Sequence, residues 1–136
     1  MKELQEKRNL TYLFIAHDLG VVRYVCDRIL VMYLGRIVET STSSRLYVQP
    51  LHPYTKALMS AVPDVEKALR ERGRPSKSRV VLSGDVPSPT VPVPGCLFHT
   101  RCPFVKDRCR EETPRLREVR LGHFAACHFA EDLATS

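Results

Sequence analysis

Two sets of side chains could do chemistry here. One is the four cysteines Cys96, Cys102, Cys109 and Cys127, separated by gaps of five, six and seventeen residues. The other is His17, which with Asp18 follows the apolar run Leu13-Phe14-Ile15. Met1-Lys2-Glu3-Leu4 opens no secretory signal, so the thiols point to metal ligation or free cysteine rather than disulfides. The gaps differ from the close cysteine pairs of structural zinc sites, which makes zinc less natural without excluding it. Loop-borne thiolates beside prolines and glycines can instead wrap a larger body. A polar pair just past the carboxyl end of a buried strand is where open α/β sheets hold ligand-handling groups, and His17 fits that position. It could equally end the strand with its ring satisfied by a neighbouring carbonyl.

Several elements must position these groups. The apolar run predicts a strand over residues 11–16, buried on both faces as in a parallel sheet covered by helices. Residues 2–8 are charged and helix-favouring, and Asn9 suits a helix end. Leu19, Val22 and Cys26 recur at helical spacing behind Asp18, which predicts a short helix capped by Asp18, with Cys26 as a small core residue. Ile29 to Tyr33 and Ile37 to Glu39 predict a hairpin turning at Leu34-Gly35-Arg36. Pro53 suits the first turn of a helix with an apolar stripe of Tyr54, Leu58, Ala61 and Val62, which Pro63 ends. Asp64 then caps a second short helix bearing Val65, Ala68 and Leu69, closed by Gly73.

Beyond it the chain changes character. Residues 70–79 form a basic run, read as a solvated linker because no aromatic side chain is interleaved for base stacking. Residues 80–82 predict a short strand. Pro87, Pro89, Pro92 and Pro94 make residues 84–95 a stiff extended loop. Residues 109–119 read as a solvated loop, residues 124–129 as the last strand, and the tail after Ala130 as mobile. His99, His123 and His128 read as surface histidines, although His99 and His128 are close enough in sequence to the cysteines to replace or hydrogen-bond a ligand.

Composition agrees with one end of a larger core followed by a small appended unit. The chain has 136 residues and is 43% hydrophobic, but the aliphatic residues crowd into the first third while Arg, Pro and Cys dominate beyond Arg70. The net charge of +6, from 21 basic and 15 acidic residues, is a mild excess that suits a basic solvated surface better than nucleic-acid binding. No apolar run approaches the roughly 20 residues that cross a bilayer, so the expectation is a soluble, cytosolic chain.

The pattern His17-Asp18, then Asp27-Arg28-Ile29-x-Val31-Met32-x-x-Gly35-x-Ile37-Val38-Glu39, resembles the end of the nucleotide-binding subunit of an ABC transporter. The segment Leu51-His52-Pro53-Tyr54-Thr55-Lys56-Ala57-Leu58-Met59-Ser60-Ala61-Val62-Pro63 is similar to one that marks the ATPase subunits of oligopeptide and dipeptide importers. The resemblance implies an α/β fragment: the last strand, helix and hairpin of a RecA-like ATPase core, followed by a small irregular cysteine-rich unit. It divides the chain into residues 1–50 from the nucleotide-binding domain, 51–79 as a helical extension with basic linker, and 80–136 as the Pro/Cys-rich region. It makes His17 the switch histidine, both catalytic and nucleotide-contacting, since a neutral imidazole can reach the γ-phosphate and sense its departure.

Members of that family hold a 4Fe-4S cluster on four matching cysteines, which would make Cys96, Cys102, Cys109 and Cys127 metal ligands, with zinc or free thiols as alternatives. The implied partners are a second ATPase subunit and membrane permease subunits, with no nucleic acid and no membrane insertion. The implied location is cytoplasmic, peripheral at the inner face of the membrane. A glycine-rich phosphate loop, a Walker B aspartate and a signature segment are all missing from these 136 residues. The chain therefore reads as a carboxyl-terminal fragment or the product of a truncated frame, using ATP and magnesium only with the missing part and inactive alone. The competing reading is a free-standing basic metal-binding module that contacts nucleic acid or protein.

Overall fold

In β1 (Arg28–Tyr33), Ile29, Val31 and Tyr33 are buried while Leu30 and Met32 face outward, the period of a strand with one covered face. The computed structural model describes residues 2–62 and 93–134. The turn after β1 is a two-residue loop: Tyr33 pairs with Arg36, and both Leu34 (φ 46°) and Gly35 (φ 75°) are left-handed. That is the backbone a tight hairpin of right-twisted strands requires. β2 (Arg36–Thr42) returns antiparallel, with the register slipping between Val31 and Met32. Val31 pairs with Glu39 and Met32 with Ile37, so Val38 is the extra residue of a bulge. The bulge lets Val38 and Glu39, adjacent in sequence, both be buried.

The two helices predicted ahead of the hairpin form as read. Asp18 caps α2 (Leu19–Val25) by accepting the Val21 amide at 3.2 Å, and α1 (Lys2–Arg8) ends at Asn9 with φ 49°. α3 (Ser43–Val48) follows β2 and is tied to α2 by Ser43 Oγ donating to the Arg23 carbonyl at 3.1 Å. Val22, Ile29, Val31, Tyr33, Val38, Leu46 and Phe98 form the main core. α4 (Pro53–Ser60) begins at Pro53 as expected, but it buries Pro53, Thr55 and Ala57 while Ala61 is exposed.

Residues 11–16 are not a strand. Leu13 is 88% and Ile15 90% exposed, and no described strand pairs with them. A doubly buried strand exists only through neighbours on both edges and both faces, and the run lacks them here. Among the described residues the sheet is antiparallel throughout, in the order β1, β2, β4 (His123–Ala125), β3 (Arg117–Arg120).

The cysteine-rich part is more regular than its composition suggests. It contains a 3-10 turn at His99–Arg101, α5 (Asp107–Glu111), β3 (Arg117–Arg120), β4 (His123–Ala125) and α6 (Ala130–Ala134). Residues 109–119, expected as a loop, thus hold part of α5 and all but the last residue of β3. The last strand is His123–Ala125, not residues 124–129, and its edge pairs with β2 through Glu39 and Ala125. The tail expected to be mobile after Ala130 is a helix that buries Ala130 and Leu133. The Arg117 guanidinium holds it by pairing with Glu131, with Nη2 2.7 Å from Oε2. The helix expected at residues 64–73, the basic run at 70–79, the strand at 80–82 and most of the proline-rich stretch lie outside the described residues.

Candidate functional site

Gly95 brings the first cysteine into place. Its φ is +69°, and a Cβ there would lie 2.4 Å from the Cys109 carbonyl oxygen, so only glycine lets these two segments close. Closure is sealed by the Cys96 amide donating to the Cys109 carbonyl at 2.8 Å and by Thr113 Oγ1 donating to the Gly95 carbonyl at 3.0 Å. Cys102 ends the 3-10 turn, Cys109 lies within α5, and Cys127 follows β4 on the way into α6.

The four thiols, separated widely in sequence, line one cavity of about 20 Å³. The rest of its wall is His52, Pro53, Phe98, Phe104, His128, Phe129 and Leu133. No carboxylate among the described residues lines it. Burial pushes the Cys102 and Cys127 thiols up to about 11 and raises that of Cys96, and the neighbouring cysteine sulfurs push the same way. Gathering thiols in an apolar wall disfavours thiolate unless a cation shares the space. Cys26 is not on this wall and packs against the main core instead, as its helical position predicts.

His52 is the residue that sequence reading missed. It caps α4, is 1% exposed, and has its ring 5.6 Å from that of Phe98. Its Nδ1 accepts the Tyr54 amide at 3.1 Å. Burial lowers its pKa to about 4, against the opposing pull of the Glu39 charge, so the ring is neutral at neutral pH and carries its proton on Nε2. Glu39 fixes the backbone beneath it, one carboxylate oxygen accepting the Leu51 amide and the other the His52 amide, each at 2.8 Å.

The remaining histidines divide. His123, read as a surface residue, is 2% exposed and hydrogen-bonded to Glu39. His99 Nδ1 donates to the Cys96 carbonyl at 2.8 Å, and His128 Nε2 donates to the Glu112 carbonyl at 2.9 Å. His17 is exposed, in the segment preceding Asp18, and is not part of the cysteine cavity. No group of three or more His, Cys, Asp or Glu side chains among the described residues is gathered tightly enough to ligate a single ion.

The profile of the oligopeptide/dipeptide transporter C-terminal region matches residues 38–109, more than half of the chain. The chain belongs to this family. Within the transporter C-terminal region so matched lie Glu39, His52, Cys96, Cys102 and Cys109, while His17 and Cys127 fall outside it. Similar full-length proteins carry transport names. The oligopeptide transport ATP-binding protein AppF of Bacillus subtilis is 53% identical over 94% of this chain and 38% of its own length. A putative peptide import ATP-binding protein of Brucella ovis is 51% identical over 93% and 38%. The di/tripeptide transport ATP-binding protein DppF of Pseudomonas aeruginosa is 45% identical over 95% and 38%. The chain thus spans less than two fifths of these relatives, and similarity along nearly all of it disfavours the free-standing basic metal-binding module contacting nucleic acid or protein. No helix among the described residues is long and apolar enough to cross a membrane.

Proposed function

We propose that this oligopeptide/dipeptide transporter C-terminal region serves the ATP-binding subunit of a peptide ABC importer, with residues 1–50 completing the nucleotide-binding domain. Support comes from the similarity to peptide-transport ATP-binding proteins along 94% of the chain. In this reading His17 is the switch histidine, contacting the γ-phosphate of ATP held by the rest of the subunit or by its dimer partner. Its exposure suits a group that meets nucleotide from outside this region. Magnesium and ATP would be gripped elsewhere, because the 136 residues contain no phosphate loop. The subunit would work at the cytoplasmic face of the membrane against permease subunits.

We further propose that Cys96, Cys102, Cys109 and Cys127 hold a 4Fe-4S cluster, zinc being the alternative. One observation carries this: four thiols from separate elements share one wall with no competing carboxylate. Soft thiolate donors select iron-sulfur clusters, zinc or copper(I), and loop-borne thiolates can wrap a body larger than a single ion. At about 20 Å³ the cavity is hardly larger than a water, so the ligand loops would open around a cluster. Bound, the cluster would cross-link β4, α5 and the 3-10 turn, supplying structural stability that the few large apolar side chains of this part do not.

The test is anaerobic purification of the full chain with an absorbance spectrum and iron, sulfide and zinc counts. About four iron per chain is expected, lost in Cys109→Ser and unchanged in Cys26→Ser. A correctly folded, colourless, metal-free chain would defeat the cluster. For the transporter reading, the purified chain is expected to show no ATP turnover by itself, and measured turnover would overturn it.

A further inference from the structure

We propose that the hollow between α3 and the turn joining β3 to β4 binds a phosphate group, held between the guanidiniums of Arg45 and Arg120. No cysteine lines this hollow, so the proposal stands apart from the cluster reading. Gln49 caps α3 one turn after Arg45, its amide donating to the Arg45 carbonyl at 2.8 Å. Arg120 pairs with His123 across the two-residue turn Leu121-Gly122, where Gly122 is left-handed with φ 71°. Two contacts join the tip of that hairpin to α3. The Arg45 guanidinium donates to the Leu121 carbonyl, and Arg120 Nη1 donates to Gln49 Oε1 at 2.5 Å.

These contacts hold both side chains without neutralising them. Each uses one of a guanidinium's five N–H donors, and each acceptor is an uncharged oxygen. Neither arginine is in an ion pair with a described residue. Arg45, Gln49, Arg120, Leu121 and His123 enclose about 280 Å³ open to solvent, and no described carboxylate is on that wall. The turn's own carboxylate, Glu118, accepts the Gly122 amide at 2.6 Å. Glu39, bonded to His123, is buried and also accepts two backbone amides. Two held positive charges with donors to spare, around room for a small ligand, match an oxyanion. A guanidinium fork takes two oxygens at once. Phosphate offers a pair to each fork and a second negative charge, which a carboxylate lacks.

The full chain is titrated with inorganic phosphate by calorimetry at constant ionic strength, alongside Arg45→Gln, Arg120→Gln and Arg36→Gln. Arg36, exposed at the start of β2 and off the wall, controls for the loss of one charge. Saturable binding of a single phosphate is expected in the parent and in Arg36→Gln. Each of the other two variants should bind about tenfold or more weakly, the loss typical of one hydrogen bond to a charged group. No saturable binding in the parent overturns the proposal, and that measurement decides even if a variant misfolds. Equal uptake by all four chains marks an adventitious ion only and also overturns it. Vesicles then distinguish the sources of the phosphate. Cosedimentation with phosphatidylglycerol but not phosphatidylcholine vesicles, lost in Arg45→Gln and Arg120→Gln and kept in Arg36→Gln, assigns it to a lipid headgroup. Phosphate binding with no cosedimentation, or with cosedimentation that survives both substitutions, assigns it to a soluble phosphate.

Discussion

His123 Nε2 donates to Glu39 Oε1 across 2.7 Å, joining residues 84 apart in the chain with both side chains buried. The same carboxylate accepts the Leu51 and His52 amides. Glu39 therefore pins three segments together: the bulged strand β2, the final strand β4 and the entry to α4. The cysteine wall hangs from that pin, since His52 leads into α4 and β4 leads to Cys127.

Removing the pin should be costly. Glu39→Ala leaves the His123 ring and two buried amides without their acceptor, and a loss of about 3–5 kcal/mol is expected, typical of breaking a buried hydrogen-bonded pair. Glu39→Gln keeps one carbonyl oxygen and should cost about 1–3 kcal/mol. Urea unfolding of both variants checks the order, and equal costs would contradict the role given to Glu39.

Two of the left-handed glycines, Gly35 and Gly95, should respond differently to a methyl group. At Gly35 nothing lies within 4 Å of the added Cβ, so Gly35→Ala pays only backbone strain, about 1 kcal/mol. At Gly95 the Cβ would lie 2.4 Å from the Cys109 carbonyl oxygen, so Gly95→Ala must separate the Cys96 and Cys109 segments. The expected result is a larger fall in thermal midpoint than for Gly35→Ala and at least a halving of iron uptake.

The apolar run that fails to become a strand should make the isolated chain associate. Leu13 and Ile15, at 88% and 90% exposure, have almost no packing to lose. The double variant Leu13→Ser, Ile15→Ser should change stability by less than about 0.5 kcal/mol while lowering light scattering and oligomer content in sedimentation. Val22→Ala, in the main core, should cost about 1–3 kcal/mol by comparison.

Acid should loosen α6 through its surface pair. The Arg117 side chain, by hydrogen bond and charge, holds the Glu131 carboxyl below its ordinary value. A carboxylate depressed in the folded state contributes stability that is present above its unfolded pKa and lost as pH falls through the folded one. The contribution is therefore whole above about pH 4.5 and vanishes in stronger acid. In Glu131→Gln the small gap in urea midpoint from the parent should be present at pH 7 and shrink as the pH falls through the depressed folded pKa; a gap independent of pH would contradict it.

Local features of the chain were legible in the sequence because their causes are local. Asp18 caps α2 through an amide three residues away, Leu34-Gly35 turns the hairpin through its own φ angles, and Pro53 starts α4 because its missing donor is not needed there. The family resemblance is also a property of order and spacing, and residues 38–109 carry it. The fate of residues 11–16 was not legible, because their pattern specifies a strand only when partner strands are present.

Long-range pairing decided the rest. The one-residue bulge at Val38 turns Glu39 inward, the register of β4 on β2 brings His123 to it, and the resulting hold on the His52 backbone sets that ring beside the four thiols. No composition or period announces such a set of contacts. A side chain's local sequence fixes its conformational preference, whereas its burial and partners depend on which distant segments pack against it, and here that turned a histidine with no sequence link to the cysteines into part of their wall.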